Sequence, residues 1–251
     1  MIQWTTVEDA RNGSGLRLVL ARGSYGGFSE SAKNIMHVKK IPYAAVPQTP
    51  FGENLDLVAW TGVRNNPVAV YNDEPPRNSW LDILNLAERL APEPRLLPAD
   101  SAERALVVGL SNEIMGEAGL VWSKRISTVA RAGPSPGLRG EIMRREYRAD
   151  GADANREVQR QADIIAGFGA RLQAQKRAGS RYLVGDALSA VDIYWATFSN
   201  LYGPLAGCPI PEPVRSAYAQ QLPEVAAVFD PILFEHRDHI YATYLPPMDF
   251  G

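Results

Sequence analysis

The stretch Asn66-Pro67-Val68-Ala69-Val70-Tyr71, followed by Arg77-Asn78-Ser79-Trp80-Leu81, decides the fold. An apolar strand begins at a proline, which withholds one backbone N–H from a sheet and fixes its own φ. Asn78-Ser79 then opens an apolar helix, and serine is a favoured helix cap. Such a helix start presents unpaired N–H groups and the positive end of the helix dipole. A small carboxylate placed there meets amides, the Ser79 hydroxyl and the helix field together. A cis Asn66–Pro67 bond would begin the strand after a tight bend that exposes the preceding amide.

Upstream, residues 16–22 read as a buried strand, and Gly23-Ser24-Tyr25-Gly26-Gly27 as a loop. Residues 29–40 read as a helix whose apolar positions Ala32, Ile35 and Met36, with the stem of Lys39, follow the helical period. Residues 42–46 read as a second strand. Strand, helix and strand in about 30 residues make a βαβ unit with parallel strands. Pro75 and Pro76 restrict residues 72–77 to an edge strand or a turn.

Pro92, Pro94 and Pro98 mark a linker, after which strand patterns vanish. Residues 103–129 read as helical with a break at Gly116 or Gly119, and residues 131–140 as a Gly/Pro loop. Residues 153–177, 189–201 and 223–241 read as helices. In the second of these, Ser189 and Asp192 have the spacing of a capping box, which is folding chemistry rather than a ligand site.

The chain has 251 residues, 45% hydrophobic and 22% charged, with a net charge of −2. Those proportions are ordinary for a soluble globular protein. The charge supplies no field toward nucleic acid or an anionic membrane. No apolar run approaches the ~20 residues of a membrane helix, and the first residues lack a signal-peptide pattern. A cytoplasmic location is the expectation. The single cysteine, Cys208, excludes an intrachain disulfide. The three histidines, His37, His236 and His239, gather no metal-ligand spacing with acids or cysteine, so no metal is expected.

Pro67-Val68-Ala69-Val70 with Asn78-Ser79 resembles the glutathione-binding half of the cytosolic glutathione transferases. The linker at Leu96-Leu97-Pro98 and the segment 182–193 around the capping box are similar to that family too, so the resemblance covers roughly residues 16 to 245. It implies a thioredoxin-like domain at 1–95 with the order β-α-β-α-β-β-α, and an all-helical domain at 100–251. It implies glutathione as co-substrate, a small apolar electrophile as second substrate, a homodimer and a role in detoxification. Asn66, Pro67, Asn78 and Ser79 correspond to the glutathione-binding positions. At position 78 this chain has a neutral amide where the family carries Glu, Gln or Asp, and position 66 departs from a common apolar residue.

The thiol-activating group should be a hydrogen-bond donor beside a helix N-terminus, which lowers a thiol pKa. Ser29, Tyr25 and Ser24 are the possibilities, Ser29 first because it stands at the expected helix start, where it could also be a plain N-cap. With no cysteine in this loop, mixed-disulfide chemistry is excluded there. Trp122, Tyr147, Trp195 and Tyr202 could line an electrophile site but read better as core. Arg125, Arg131, Arg144, Arg145 and Arg148 read as a solvated face. Two other readings are open: a non-catalytic binding or scaffold protein that kept the fold, and a glutathione-dependent ether-cleaving or isomerising enzyme.

Overall fold

The computed structural model describes residues 2–132 and 138–251. The chain divides into two compact units: Met1–Leu96 with Ala206–Glu212 and Tyr241–Gly251, and Leu97–Leu205 with Pro213–Ile240. The first break falls at the linker. Residues 206–212 and 241–251, expected in the helical domain, belong to the first unit instead.

The first unit is built from α1 (Val7–Asn12), β1 (Leu16–Ala21), α2 (Gly27–Val38), β2 (Ala44–Gln48), α3 (Leu55–Thr61), β3 (Val68–Tyr71) and α4 (Trp80–Leu90). The sheet order is β2-β1-β3, with β1 parallel to β2 and antiparallel to β3. β1 is central and every one of its residues is buried, as expected of a strand covered on both faces. Val19, Val46, Val68 and Val70 pack with Ala10 and Leu57 of α1 and α3 on one face. Leu18 and Leu20 point the other way, and α2 packs with α4. β2 starts and ends two residues later than expected and carries Pro47, which an edge strand tolerates. The fourth strand reduces to one antiparallel bridge, Ala69 with Arg77, closed by two backbone hydrogen bonds of 2.8 and 2.9 Å. Pro75 and Pro76 just before it cannot extend the ladder.

Lys39, counted at sequence level only for its apolar stem, is buried entire. Its ammonium donates to Glu88 Oε1 and to the Pro94 carbonyl (2.8 Å), and Glu88 Oε1 also accepts from the Leu96 amide (3.0 Å). One ion pair thus pins the end of α2 and the linker to α4.

The second unit holds α5 (Ser101–Met115), α6 (Leu120–Ala132), α7 (Leu138–Tyr147), α8 (Ala154–Arg177), α9 (Ala190–Phe198), α10 (Glu212–Ala219, entering it at Pro213), α11 (Pro223–Ala226) and most of α12 (Ile232–Tyr244). The break between α5 and α6 falls between Gly116 and Gly119, as expected. Of the Gly/Pro loop read at 131–140, residues 133–137 lie outside the described residues, and α7 begins inside the remainder. The single helix read over 223–241 is two. Pro231 cannot continue a helix, and Asp230 receives the Ile232 amide at 2.9 Å, starting α12 afresh. All nine residues of α9 are buried. The capping box closes on Asp192, whose carboxylate accepts from the Ser189 amide (2.8 Å) and hydroxyl (2.7 Å).

Trp195 and Tyr202 are buried core, as expected. Trp122 and Tyr147 are half-buried and meet edge-to-face at 4.8 Å. Lys124 of α6 lies 4.2 Å over the Tyr202 ring, and burial lowers its pKa from 10.5 to about 8. At ~1.4 kcal/mol per unit, the charged form carries a penalty of about 3 kcal/mol, partly offset by a cation–π contact of about 1–2 kcal/mol. Lys124→Met is therefore expected to raise stability at neutral pH by about 1–2 kcal/mol. The penalty is fully present below pH 8. Wild-type stability should climb as pH rises from about 8 toward 10.5, where the folded state sheds the proton first. Urea unfolding at neutral and alkaline pH tests this; equal slopes in both proteins would refute it.

Candidate functional site

The C-terminal ends of β1 and β2 and the N-terminal end of β3 lie at one edge of the sheet, since β1 and β2 are parallel and β3 runs against them. Loops outside the carboxyl ends of parallel strands are the usual ligand site of α/β sheets. Here that edge receives the loop 22–26, the first turn of α2 and the bend before β3. The Asn66–Pro67 peptide is cis. The bridge from Ala69 to Arg77 turns the chain back, so Asn78 and Ser79 run toward the Pro67 end.

A chain of side chains ties these pieces together. The Ser29 hydroxyl accepts from the Ala21 amide at the end of β1 (2.9 Å) and donates to Asn66 Oδ1. The Asn66 amide nitrogen donates to Gln48 Oε1 (2.7 Å), and Gln48 Nε2 donates to the Arg64 carbonyl (3.2 Å). Gly26 sits against this chain: a Cβ there would lie 3.2 Å from the Ala21 Cβ and 3.8 Å from Asn66 Oδ1. Asn66 is thereby held by its side chain, leaving its backbone to face the bend.

The expected helix start at Ser29 is corrected by two residues. Gly26 is the cap of α2 and no side-chain hydrogen bond closes that end. Ser29 is therefore not an N-cap but a first-turn residue, 1% exposed. Its single proton is donated to Asn66 and one lone pair is occupied by Ala21. Tyr25 is half-buried and Ser24 exposed, both in the loop that leads into the uncapped start of α2.

Ser79 is the cap of α4. Its hydroxyl accepts from the Asp82 amide (3.0 Å) and donates to Asp82 Oδ2 (2.7 Å), and both side chains are exposed. The loop before it is braced by Glu74, which pairs with Arg77 and Arg89; hydrogen bonds from Arg89 and then Arg77 hold its carboxyl below the usual range. Asn78 is exposed. Pro67, Asn66, Ser29 and Tyr25 thus gather at the sheet edge with the start of α2, and Asn78 and Ser79 open α4 on the returning chain. Sequence reasoning missed Gln48, whose role comes only from the fold. It also missed Asp82, although Ser79-x-x-Asp82 repeats the spacing recognised at Ser189.

No protein-family model matches the chain, and no curated protein matches it. Solved structures do. A glutathione S-transferase of Methylobacterium radiotolerans in complex with glutathione sulfonate matches with a TM-score of 0.60 and 16% identity, over 94% of this chain and 97% of that one. The chain has the glutathione transferase fold. Yeast Ure2p in complex with glutathione shares this fold at a TM-score of 0.63 and 13% identity, over 91% of this chain and 94% of the other. So does a maleylacetoacetate isomerase of Methylobacterium extorquens with bound malonate and glutathione, at 0.58 and 15%, over 90% and 92%. The three-stranded sheet of the first unit and the helical second unit agree with that fold. Among the described residues no three His, Cys, Asp or Glu side chains gather as a metal site, and no helix is long and apolar enough to cross a membrane.

Proposed function

We propose that this protein binds glutathione at the sheet edge and adds its thiolate to a small apolar electrophile. The observation that carries the proposal is the side-chain chain from Ala21 through Ser29 and Asn66 to Gln48, which fixes the Asn66–Pro67 bend beside the uncapped start of α2. In this reading the Asn66 backbone pairs with the cysteinyl backbone of glutathione. Ser79 and the first amides of α4 receive the γ-glutamyl carboxylate, with Asn78 beside them. Tyr25 donates a hydrogen bond from its phenol O–H to the thiolate, and the dipole of α2 lowers the thiol pKa further. Ser29 serves by orienting Asn66, because its proton is already committed, and exposed Ser24 stands behind Tyr25. A homodimer is proposed on the family resemblance alone, and a cytoplasmic location on the sequence pattern alone.

Calorimetric titration with glutathione is the test. Saturable heat with a Kd at or below millimolar supports the reading, and the absence of heat sinks it. Conjugation of a chromogenic electrophile, with Tyr25→Phe lowering the rate about a hundredfold, tests the chemistry.

One observation favours a second reading, a non-catalytic binding protein of the same fold. The Asp82 carboxylate already occupies the Ser79 hydroxyl and opposes a second carboxylate. Asp82→Asn is therefore expected to tighten glutathione binding about fivefold, the effect of ~1 kcal/mol of exposed like-charge repulsion. Unchanged or weaker affinity in the same titration would remove that argument. The ether-cleaving or isomerising alternative uses the same site, and the fold shared with a maleylacetoacetate isomerase keeps it in view. Product analysis separates it from conjugation.

A further inference from the structure

Residues 249–251 lie across the loop that carries Tyr25, and three anchors hold them there within the first unit. The Gly23 amide donates to the Phe250 carbonyl at 2.8 Å, and Phe250, 8% exposed, meets the Tyr25 ring edge-to-face at 5.7 Å. Lys33 of α2 donates to the Asp249 carbonyl and, at 2.8 Å, to Glu30 Oε1 in a buried ion pair. Asp249 accepts the Gly251 amide at 3.0 Å and the Ile2 amide at 2.8 Å, and these bonds, the Gly251 one foremost, hold its carboxyl below the ordinary range. Gly251 itself lies so close to Trp4 that a Cβ there would fall 2.2 Å from the indole nitrogen.

The loop beneath is rich in glycine. Gly23 has a φ of +73°, a region that glycine enters freely. Gly26 and Gly27 follow Tyr25 directly. A phenol on such a loop loses conformational entropy when it settles over a thiolate, and catalytic donors work best when held in place beforehand. Phe250 supplies a rigid apolar wall to the Tyr25 ring, and the Asp249 anchors fix Phe250 on α2.

We propose that Phe250 is a positioning residue for the thiol chemistry: the strap 249–251 fixes Tyr25 at the start of α2, and Phe250 acts through Tyr25. This rests on the proposed glutathione reaction and names a residue that reading does not contain. The test measures, on the full chain, the pH titration of enzyme-bound glutathione by thiolate ultraviolet absorption, together with kcat and KM for conjugation. Phe250→Ala is expected to lower kcat about tenfold with little change in KM for glutathione, as a small displacement of a catalytic group does. It should raise the bound-thiol pKa, by less than Tyr25→Phe does. In the Tyr25→Phe background the same substitution should change neither. Phe250→Leu, which keeps an apolar side chain, guards against a folding failure and should fall between wild type and alanine. If Phe250→Ala and Phe250→Leu leave thiol pKa and kcat at wild-type values, or lower kcat equally with and without Tyr25, the inference is overturned while the glutathione reading stands. If the wild type binds no glutathione, both fall.

Discussion

Replacing Asp192 with alanine is expected to cost about 4 kcal/mol of folding stability, the scale of removing one partner from a buried charged network. The carboxylate is fully buried and accepts four hydrogen bonds. Two come from Ser189, and the others from the Leu183 amide (2.7 Å) and His236 Nε2 (2.9 Å). Alanine strands the Leu183 and Ser189 amides without an acceptor, at about 1–3 kcal/mol for each buried donor left unpaired. It also removes the partner of His236 Nε2. A plain helix cap is worth about 1 kcal/mol, so magnitude separates the two descriptions. Urea unfolding of the variant decides: a loss near 1 kcal/mol would reduce Asp192 to an ordinary cap. Asp192→Asn, which keeps the shape and one acceptor oxygen, should lose roughly half as much.

Asp192 also shows how far the sequence carried. Its bond to Ser189 spans three residues and has a recognisable spacing. Its partner His236 lies 44 residues away on α12, where nothing local distinguishes a buried histidine from a solvated one. The βαβ unit and the proline-led β3 were legible because hydrophobic runs and prolines act on their own neighbours. α7 and α10 were not: one is rich in arginine with no apolar stripe, and the other is a short helix that carries Pro213. The start of α2 was misplaced because its cap, Gly26, has no side chain to announce it, and a Gly-Gly pair reads as loop. That shift moved Ser29 from the helix mouth into the first turn. The strap 249–251 was invisible because its contacts run to residues at the other end of the chain, such as Ile2 and Lys33.

The displaced Ser29 yields the sharpest functional contrast. Ser29→Ala removes the acceptor for the buried Ala21 amide and the donor to Asn66, so it should destabilise the protein by about 2 kcal/mol. Asn66 then keeps only its bond to Gln48 of the two that orient its side chain. With the bend loosened, glutathione affinity should fall about tenfold, the equivalent of ~1.4 kcal/mol. The pKa of the glutathione thiol that still binds should stay at its wild-type value, because the Ser29 proton is committed to Asn66. Tyr25→Phe should do the reverse, raising the thiol pKa by about one unit with little loss of affinity. Asn66→Ala should reproduce the affinity loss, and the double variant Ser29→Ala with Asn66→Ala should lose less than the sum of the two, since both act on one hydrogen bond. Should Ser29→Ala raise the thiol pKa as much as Tyr25→Phe, the serine must release Asn66 and turn to the ligand when glutathione binds. The assignment of roles would then pass back to Ser29, the residue that the helix-start reading favoured.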